Sequence, residues 1–211
     1  MRIKYILFDL DNTLYPADSG LFKEIDRRMT IFVSRHLNLP PEKAESLRRR
    51  LSSKYGTTLS GLTVEYNLKN TEEYLKEVHP EDVDRYIKRD EKLIDFLGRL
   101  KIEKSILTNS PREHAERVLK VLGIRDFFQY IFDIRLNNLM GKPNKAVYLK
   151  VLDKIKKPPE ETLFIDDLPS YLIPFKELGG NIILIDRNHR YKDTYDFPVI
   201  HELEELFNYL D

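Results

Sequence analysis

No cysteine occurs in the 211 residues, which excludes a disulfide framework, a thiolate zinc site and a cysteine nucleophile. Excess charge is missing as well: 35 Lys and Arg balance 35 Asp and Glu. A neutral chain has no electrostatic basis for gripping DNA, RNA or an anionic membrane. Neither a nucleic acid polymer nor a membrane is therefore expected as a partner. Long apolar runs are also absent. The stretch from Ile3 to Phe8 is too short for the apolar segment of a signal peptide and runs into acids. No segment reaches the roughly 20 residues of a membrane span, so a cytoplasmic location is the expectation. Glutamine is represented by Gln129 alone while Lys, Arg and Glu are abundant, a balance that leans towards thermophile proteins.

What is present is enough for a folded core. The apolar fraction is 41%, ordinary for a globular protein. Short apolar runs read as buried parallel strands: Ile3 to Phe8, Ser105 to Leu107, Tyr130 to Phe132, Thr162 to Ile165 and Asn181 to Ile185. Between them lie helical patterns. Ala115, Val118, Leu119 and Leu122 keep a 3.6-residue period and stop at Gly123; Val147, Tyr148, Val151, Leu152 and Ile155 do the same and stop before Pro158. Alternating strands and helices predict an α/β fold, a doubly wound parallel sheet of Rossmann-like type. Ligands in such sheets sit beyond the carboxyl ends of the strands.

From about Leu21 to Tyr86 the alternation breaks. Leu21, Ile25, Met29, Phe32, Val33 and Leu37 mark one amphipathic helix, and Ala44, Leu47, Leu51 and Tyr55 a second. Tyr74, Leu75 and Val78, then Val83, Tyr86 and Ile87, mark two more. The division expected is a core of residues 1–16 and 88–211, with residues 17–87 as an all-helical cap inserted after the first strand.

Four segments carry chemistry. In Asp9-Leu10-Asp11-Asn12-Thr13, two carboxylates two residues apart at a strand end can converge on one point, one as nucleophile and one as proton carrier. In Thr108-Asn109-Ser110-Pro111-Arg112-Glu113, Ser110 and Glu113 read as a capping box with Pro111 at the first helical position. Thr108 and Asn109 then stand before a helix N-terminus, a natural phosphate seat. Lys142, between Gly141 and Pro143, precedes another helix start, where it can neutralise phosphate oxygens; Lys145 competes for that role. Asp166 and Asp167 follow an apolar strand directly, which is costly unless they bind something. A hard cation with oxygen ligands, magnesium above all, is the natural partner. Histidines such as His36 and His114 show no metal-ligand spacing, and Arg48, Arg49 and Arg50 read as a solvated helix face, with phosphate recognition by one of them the alternative.

This ordered set resembles the haloacid dehalogenase-like superfamily over the whole chain. Asp9 to Thr13 stands as the first motif, Thr108 as the second, Lys142 as the third, Asp166-Asp167 as the fourth, and the insertion as a type 1 cap. More narrowly, Phe8 to Pro16 and Lys54 to Leu62 resemble the pyrimidine 5′-nucleotidase branch. Leu168-Pro169-Ser170-Tyr171 departs from that branch, which has small and polar residues there. The resemblance implies a Mg2+-dependent phosphomonoester hydrolase acting through an aspartyl-phosphate. Asp9 would attack phosphorus and Asp11 would serve as acid and then base. Thr108, the Asn109 amide and Lys142 would hold the phosphoryl oxygens. Asp9, the Asp11 carbonyl and Asp167 would hold the metal, with Asp166 supporting it. The small-molecule substrate would be a nucleoside 5′-monophosphate, pyrimidines preferred. Tyr55-Gly56-Thr57-Thr58-Leu59-Ser60-Gly61, unlike a helix interior, is expected as a binding loop. Tyr15, Tyr55 or Tyr66 would contact the base, and Thr57 and Thr58 would donate hydrogen bonds. A sugar-phosphate phosphatase or phosphomutase shares every core residue. A dehalogenase has no use for Asp11, Asp166 or a metal. A phospho-receiver lacks the cap, and a non-catalytic interaction module has no need of all the acids.

Overall fold

The computed structural model describes residues 3–191 and 195–210. Six parallel strands form one sheet: β1 (Tyr5–Phe8), β2 (Glu103–Leu107), β3 (Ile131–Phe132), β4 (Thr162–Asp166), β5 (Asn181–Ile185) and β6 (Val199–Ile200). Eight α-helices accompany them: α1 (Leu21–Leu37), α2 (Pro41–Tyr55), α3 (Thr58–Tyr66), α4 (Thr71–Val78), α5 (Glu91–Arg99), α6 (Arg112–Leu122), α7 (Lys145–Ile155) and α8 (Pro169–Glu177). The strand order is β3-β2-β1-β4-β5-β6, a doubly wound arrangement with β1 between the two halves.

Side chains of β1 alternate between the two faces. Ile6 and Phe8 join α5 and α6, through Leu93, Phe96, Leu97, Ala115 and Val118, in one buried cluster. Tyr5 and Leu7 join α7 and α8, through Tyr148, Val151, Leu172 and Phe175, in another. Fully burying a side chain of the size of Phe8 or Phe164 contributes roughly 1.5–3 kcal/mol, so these clusters lock the strand ends that carry the acids. Helices α1 to α4 enclose a third cluster, with Phe32, Val33, Leu51, Leu59, Leu62 and Tyr74. The first turns of α1 belong elsewhere: Leu21 and Ile25 pack into the sheet-side cluster.

Three local readings change. The segment Thr57 to Gly61, read as a loop, is the start of α3. The Thr57 side chain caps it by accepting from the Ser60 amide at 3.0 Å. Gly61 is there because a Cβ would fall 2.6 Å from that of Leu51, so glycine lets α3 lie against α2. The fourth expected cap helix shrinks to a single 3-10 turn, Val83–Arg85. Ser110 and Glu113 form no capping box. Pro111 is the N-cap of α6 with no side-chain bond, and the Arg112 amide is satisfied by Asp133 at 3.0 Å. Among the described residues no helix is long and apolar enough to cross a membrane.

Candidate active site

Asp9, Thr108, Asp166 and Asp167 all lie at carboxyl ends of adjacent strands, and Lys142 reaches them from the segment before α7. Pairing sets the depth of each. The Asp9 amide donates to Ile165 O at 2.9 Å and the Thr108 amide to Phe132 O at 2.9 Å. Lys142 is completely buried, and its Nζ donates to Asp9 Oδ1 at 2.7 Å and to Asp166 Oδ2 at 2.6 Å. Its ammonium also lies against the rings of Phe164 (5.2 Å) and Tyr171 (5.0 Å). The backbone of Lys142 is clamped by one side chain. Asn109 Oδ1 accepts from its amide at 2.8 Å and Asn109 Nδ2 donates to its carbonyl at 3.0 Å. Gly141 permits this, because a Cβ there would lie 2.1 Å from Asn109 Oδ1. Lys145 pairs instead with Glu177 at the surface.

Carboxylate oxygens of Asp9, Asp166 and Asp167 lie within 4.8 Å of one another, all three residues buried. Burial raises the Asp9 carboxyl well above its ordinary value; Lys142 opposes the rise while Asp166, Asp167 and Asp11 add to it. Burial raises Asp166 too, with Lys142 again opposing. Asp167 is pushed up to about 6, first by burial and then by Asp166, against the pull of Arg190. Burial alone would lower the Lys142 ammonium, but Asp166 and Asp9 outweigh it and hold it charged. Lys142 and, at Asp167, Arg190 thus face three acids with oxygen donors only. That donor set fits a hard divalent ion such as Mg2+.

Asp11 is built differently. Its Oδ1 accepts from Tyr15 Oη at 2.5 Å and from His114 Nε2 at 3.0 Å, and its Oδ2 accepts from Ser110 Oγ at 2.6 Å. Burial alone would raise its pKa. The charge and hydrogen bond of His114, with the bonds from Ser110 and Tyr15, win and hold it well below the usual carboxylate range. His114 is fully buried, and its ring centroid lies 4.9 Å from that of His79. Burial, helped by His114, lowers the His79 imidazole to about 3, so it is neutral. Two arginines brace the site from the loop after β5. Arg187 donates to the carbonyls of Asn12 (3.0 Å) and Thr13 (2.9 Å), and Arg190 donates to Asp167 Oδ2 at 3.0 Å.

A cavity of about 460 Å³ opens above these groups. Asp9, Asp11, Thr108, Asn109 and Asp167 form its floor, and Phe22, Ile25, Met29, Leu59 and Leu75 supply apolar walls. Thr57 and Thr58 line it, but the Thr57 hydroxyl is engaged with Ser60. Tyr15 sits in the core with its hydroxyl on Asp11, Tyr55 turns outward to Glu65, and Tyr66 is exposed; none of the three lines the cavity. Arg49 and Arg50 pair with surface acids, whereas Arg48 is 6% exposed and lines the cavity. Sequence reasoning missed His114, Ser110 as a partner of Asp11, and both bracing arginines. Only the proximity of Ser110 to Thr108 hinted at any of them.

The family model described as hydrolase, haloacid dehalogenase-like hydrolase, matches residues 3–179. Glyceraldehyde 3-phosphate phosphatase of Methanocaldococcus jannaschii is 28% identical over 229 residues, covering 97% of this chain and 95% of that one. Phosphate metabolism protein 8 of Saccharomyces cerevisiae is 29% identical over 222 residues, covering 98% and 69%. Among solved structures, the HAD-hydrolase YfnB of Bacillus subtilis, bound to magnesium, aligns with a TM-score of 0.65 at 19% identity and full coverage of both chains. L-2-haloacid dehalogenase of Xanthobacter autotrophicus aligns at 0.62 with 15% identity, covering 97% and 96%. These structural likenesses speak for the fold.

Proposed function

Because this chain belongs to the haloacid dehalogenase-like hydrolases, we propose that it is a Mg2+-dependent phosphomonoesterase in which Asp9 is the nucleophile. The observation that carries this reading is Lys142, buried between Asp9 and Asp166 at 2.7 and 2.6 Å. A cation so placed favours the ionised form of Asp9 against the effect of burial and meets the charge of an entering phosphoryl group. Asp9, Asp167, the Asp11 carbonyl and, in a supporting place, Asp166 would hold Mg2+. When bound, the ion would neutralise carboxylate and phosphoryl charge.

The residues divide the work. Thr108, the Asn109 backbone amide and Lys142 hold phosphoryl oxygens in line with Asp9. An Asp9 oxygen forms a bond to phosphorus as the bond to the leaving oxygen breaks, and Asp11 gives that oxygen a proton. Water then attacks phosphorus and passes its proton to Asp11. The Asp9 acyl phosphate is cleaved, and phosphate leaves with Asp9 restored. As it stands, Asp11 is a carboxylate held by three donors. The negative charge of an entering phosphate works the other way and raises its pKa towards the acid form. A dehalogenase would leave Asp11 and the acid cluster without a task. The apolar walls of the cavity, interspersed with polar groups, favour a leaving group with a ring, which supports nucleoside 5′-monophosphates with pyrimidines preferred. The sugar-phosphate alternative is supported by the name of the M. jannaschii relative.

The test is a panel of phosphomonoesters (UMP, CMP, AMP, ribose 5-phosphate, glyceraldehyde 3-phosphate and 4-nitrophenyl phosphate) assayed for phosphate release with Mg2+, alongside Asp9→Asn. Turnover with UMP and CMP foremost and none in Asp9→Asn is the expected result. Full activity in Asp9→Asn would remove the nucleophile assignment, and a preference for sugar phosphates would remove the nucleotide one.

A further inference from the structure

Among the polar side chains that line the cavity and that the chemistry at Asp9 does not use are Arg48, Asp26 and Tyr74. Arg48, on α2, is 6% exposed. It is pinned from one side: Nη2 donates to Asp26 Oδ2 at 2.6 Å and Nε to Thr30 Oγ1 at 3.2 Å. Its Nη1 makes no hydrogen bond among the described residues. Asp26, on α1, lines the same cavity, and its Oδ1 has no partner among the described residues. Tyr74, on α4, is 2% exposed, and its hydroxyl makes no well-formed hydrogen bond among the described residues, with the Thr58 hydroxyl its near neighbour. A buried hydroxyl left unpaired is costly, so such a group on a residue that lines a cavity points to a ligand that completes it.

The contrast with the walls sharpens the point. Phe22, Ile25, Met29, Leu59 and Leu75 offer only apolar contact. The Thr57 hydroxyl, by contrast, is spent on Ser60, and that of Ser60 in turn on Leu139 O at 2.9 Å. The ion pair leaves a donor, Arg48 Nη1, and an acceptor, Asp26 Oδ1, without a partner among the described residues, on two residues that line one cavity. A donor and an acceptor together can answer an amide edge of C=O beside N–H, or the ring nitrogen beside the exocyclic amine of a cytosine. The apolar walls suit the faces of a flat ring.

We propose that Arg48, Asp26 and Tyr74 form the specificity site of this enzyme and read the base edge of a pyrimidine nucleoside monophosphate. The proposal rests on the phosphomonoesterase reading above and moves base recognition away from Tyr15, Tyr55, Thr57 and Thr58. Arg48 donates to a ring carbonyl or ring nitrogen, Asp26 accepts from the neighbouring N–H, and Tyr74 hydrogen-bonds a remaining ring oxygen. A ligand lacking the base leaves all three groups unanswered.

The experiment compares kcat/KM for UMP with kcat/KM for ribose 5-phosphate, which keeps the phosphoester and sugar but has no base. It uses the full chain with Mg2+, in the wild type, Arg48→Met and Tyr74→Phe. Arg48→Met keeps an apolar stem, and Tyr74→Phe keeps the packed ring, so the second variant stays informative should the first fold poorly. The expected result is a UMP-to-ribose 5-phosphate ratio that falls about tenfold or more in Arg48→Met and severalfold in Tyr74→Phe. A wild type that prefers UMP, with the ratio unchanged in both variants, overturns the specificity site and leaves the nucleotide reading standing. A wild type with no preference for UMP over ribose 5-phosphate overturns the nucleotide reading itself, and this inference with it.

Discussion

Replacing Lys142 by methionine isolates what the buried cation contributes to the fold apart from catalysis. The side-chain stem is kept and only the ammonium goes. Lys142 Nζ bonds Asp9 and Asp166 at 2.7 and 2.6 Å with no exposure. Without it, Asp9, Asp166 and Asp167 face one another, and among the described residues the one remaining cation in contact is Arg190, on Asp167. Breaking a buried pair by removing one partner costs about 3–5 kcal/mol, a large part of the roughly 5–15 kcal/mol that a domain has. The sign with pH follows from the direction of the carboxyl shifts. Asp9, Asp166 and Asp167 all have folded pKa values raised above the ordinary 3.8. Their penalty is absent below that value and fully present above the folded one. Asp167 alone, raised to about 6, represents roughly 3 kcal/mol between those limits. Loss of the lysine raises all three further. Urea unfolding followed by circular dichroism in EDTA should therefore show Lys142→Met less stable than wild type by about 3–5 kcal/mol at pH 7. The deficit should shrink as pH falls towards 5, where the acids take up protons. Millimolar Mg2+ should return part of the stability at pH 7. A variant as stable as wild type in EDTA at pH 7, or a deficit that grows on acidification, would refute the picture of three acids held together by one lysine.

Other outcomes follow from the same geometry. EDTA should stop hydrolysis and Mg2+ restore it, and Asp167→Ala should weaken Mg2+ binding at least tenfold by calorimetry; unchanged affinity would take Asp167 out of the metal site. Ser110→Ala removes one of the three donors to Asp11, so kcat should fall about tenfold with KM nearly constant; a change in KM alone would assign Ser110 to substrate binding. Thr57→Val removes the cap of α3 and should lower stability by about 1 kcal/mol in urea unfolding, and an unaltered midpoint would show that the Ser60 amide finds another acceptor.

The strands were legible where burial on both faces leaves an apolar run, as in Leu163 to Ile165 and Ile182 to Ile185. β6 was not. It is two residues long and is defined by its pairing, Val199 with Leu184 and Ile200 with Ile185. α3 escaped because Thr57 to Gly61 lacks helical apolar spacing, and its stability comes from the Thr57 cap and close packing on α2. In the site, Asp9, Thr108, Lys142 and the acid pair each end a strand or start a helix, so chain order reveals them. His114 does not: its meaning lies in contact with a carboxylate 103 residues away, and nothing local separates it from a histidine on any helix. Arg48 shows the converse. In a run of three arginines all looked alike, and only the packing of α2 against α1 decided which one turned inward.

Tyr171, in the stretch that departs from the nucleotidase pattern, has a consequence for timing. Its hydroxyl donates to the Gly56 carbonyl at 3.0 Å while its ring lies beside the Lys142 ammonium. Gly56 stands at the junction of α2 and α3, at φ +83° and so close to Pro143 that a Cβ would lie 2.5 Å from its ring. A movement that carries Gly56 away from both Pro143 and Tyr171 breaks that hydrogen bond and removes one restraint on the aromatic wall beside the lysine. On the proposed phosphomonoesterase reading, water admitted by that movement would weaken the lysine's grip on a phosphate as the local dielectric rises, so that opening of the roof would itself loosen the product.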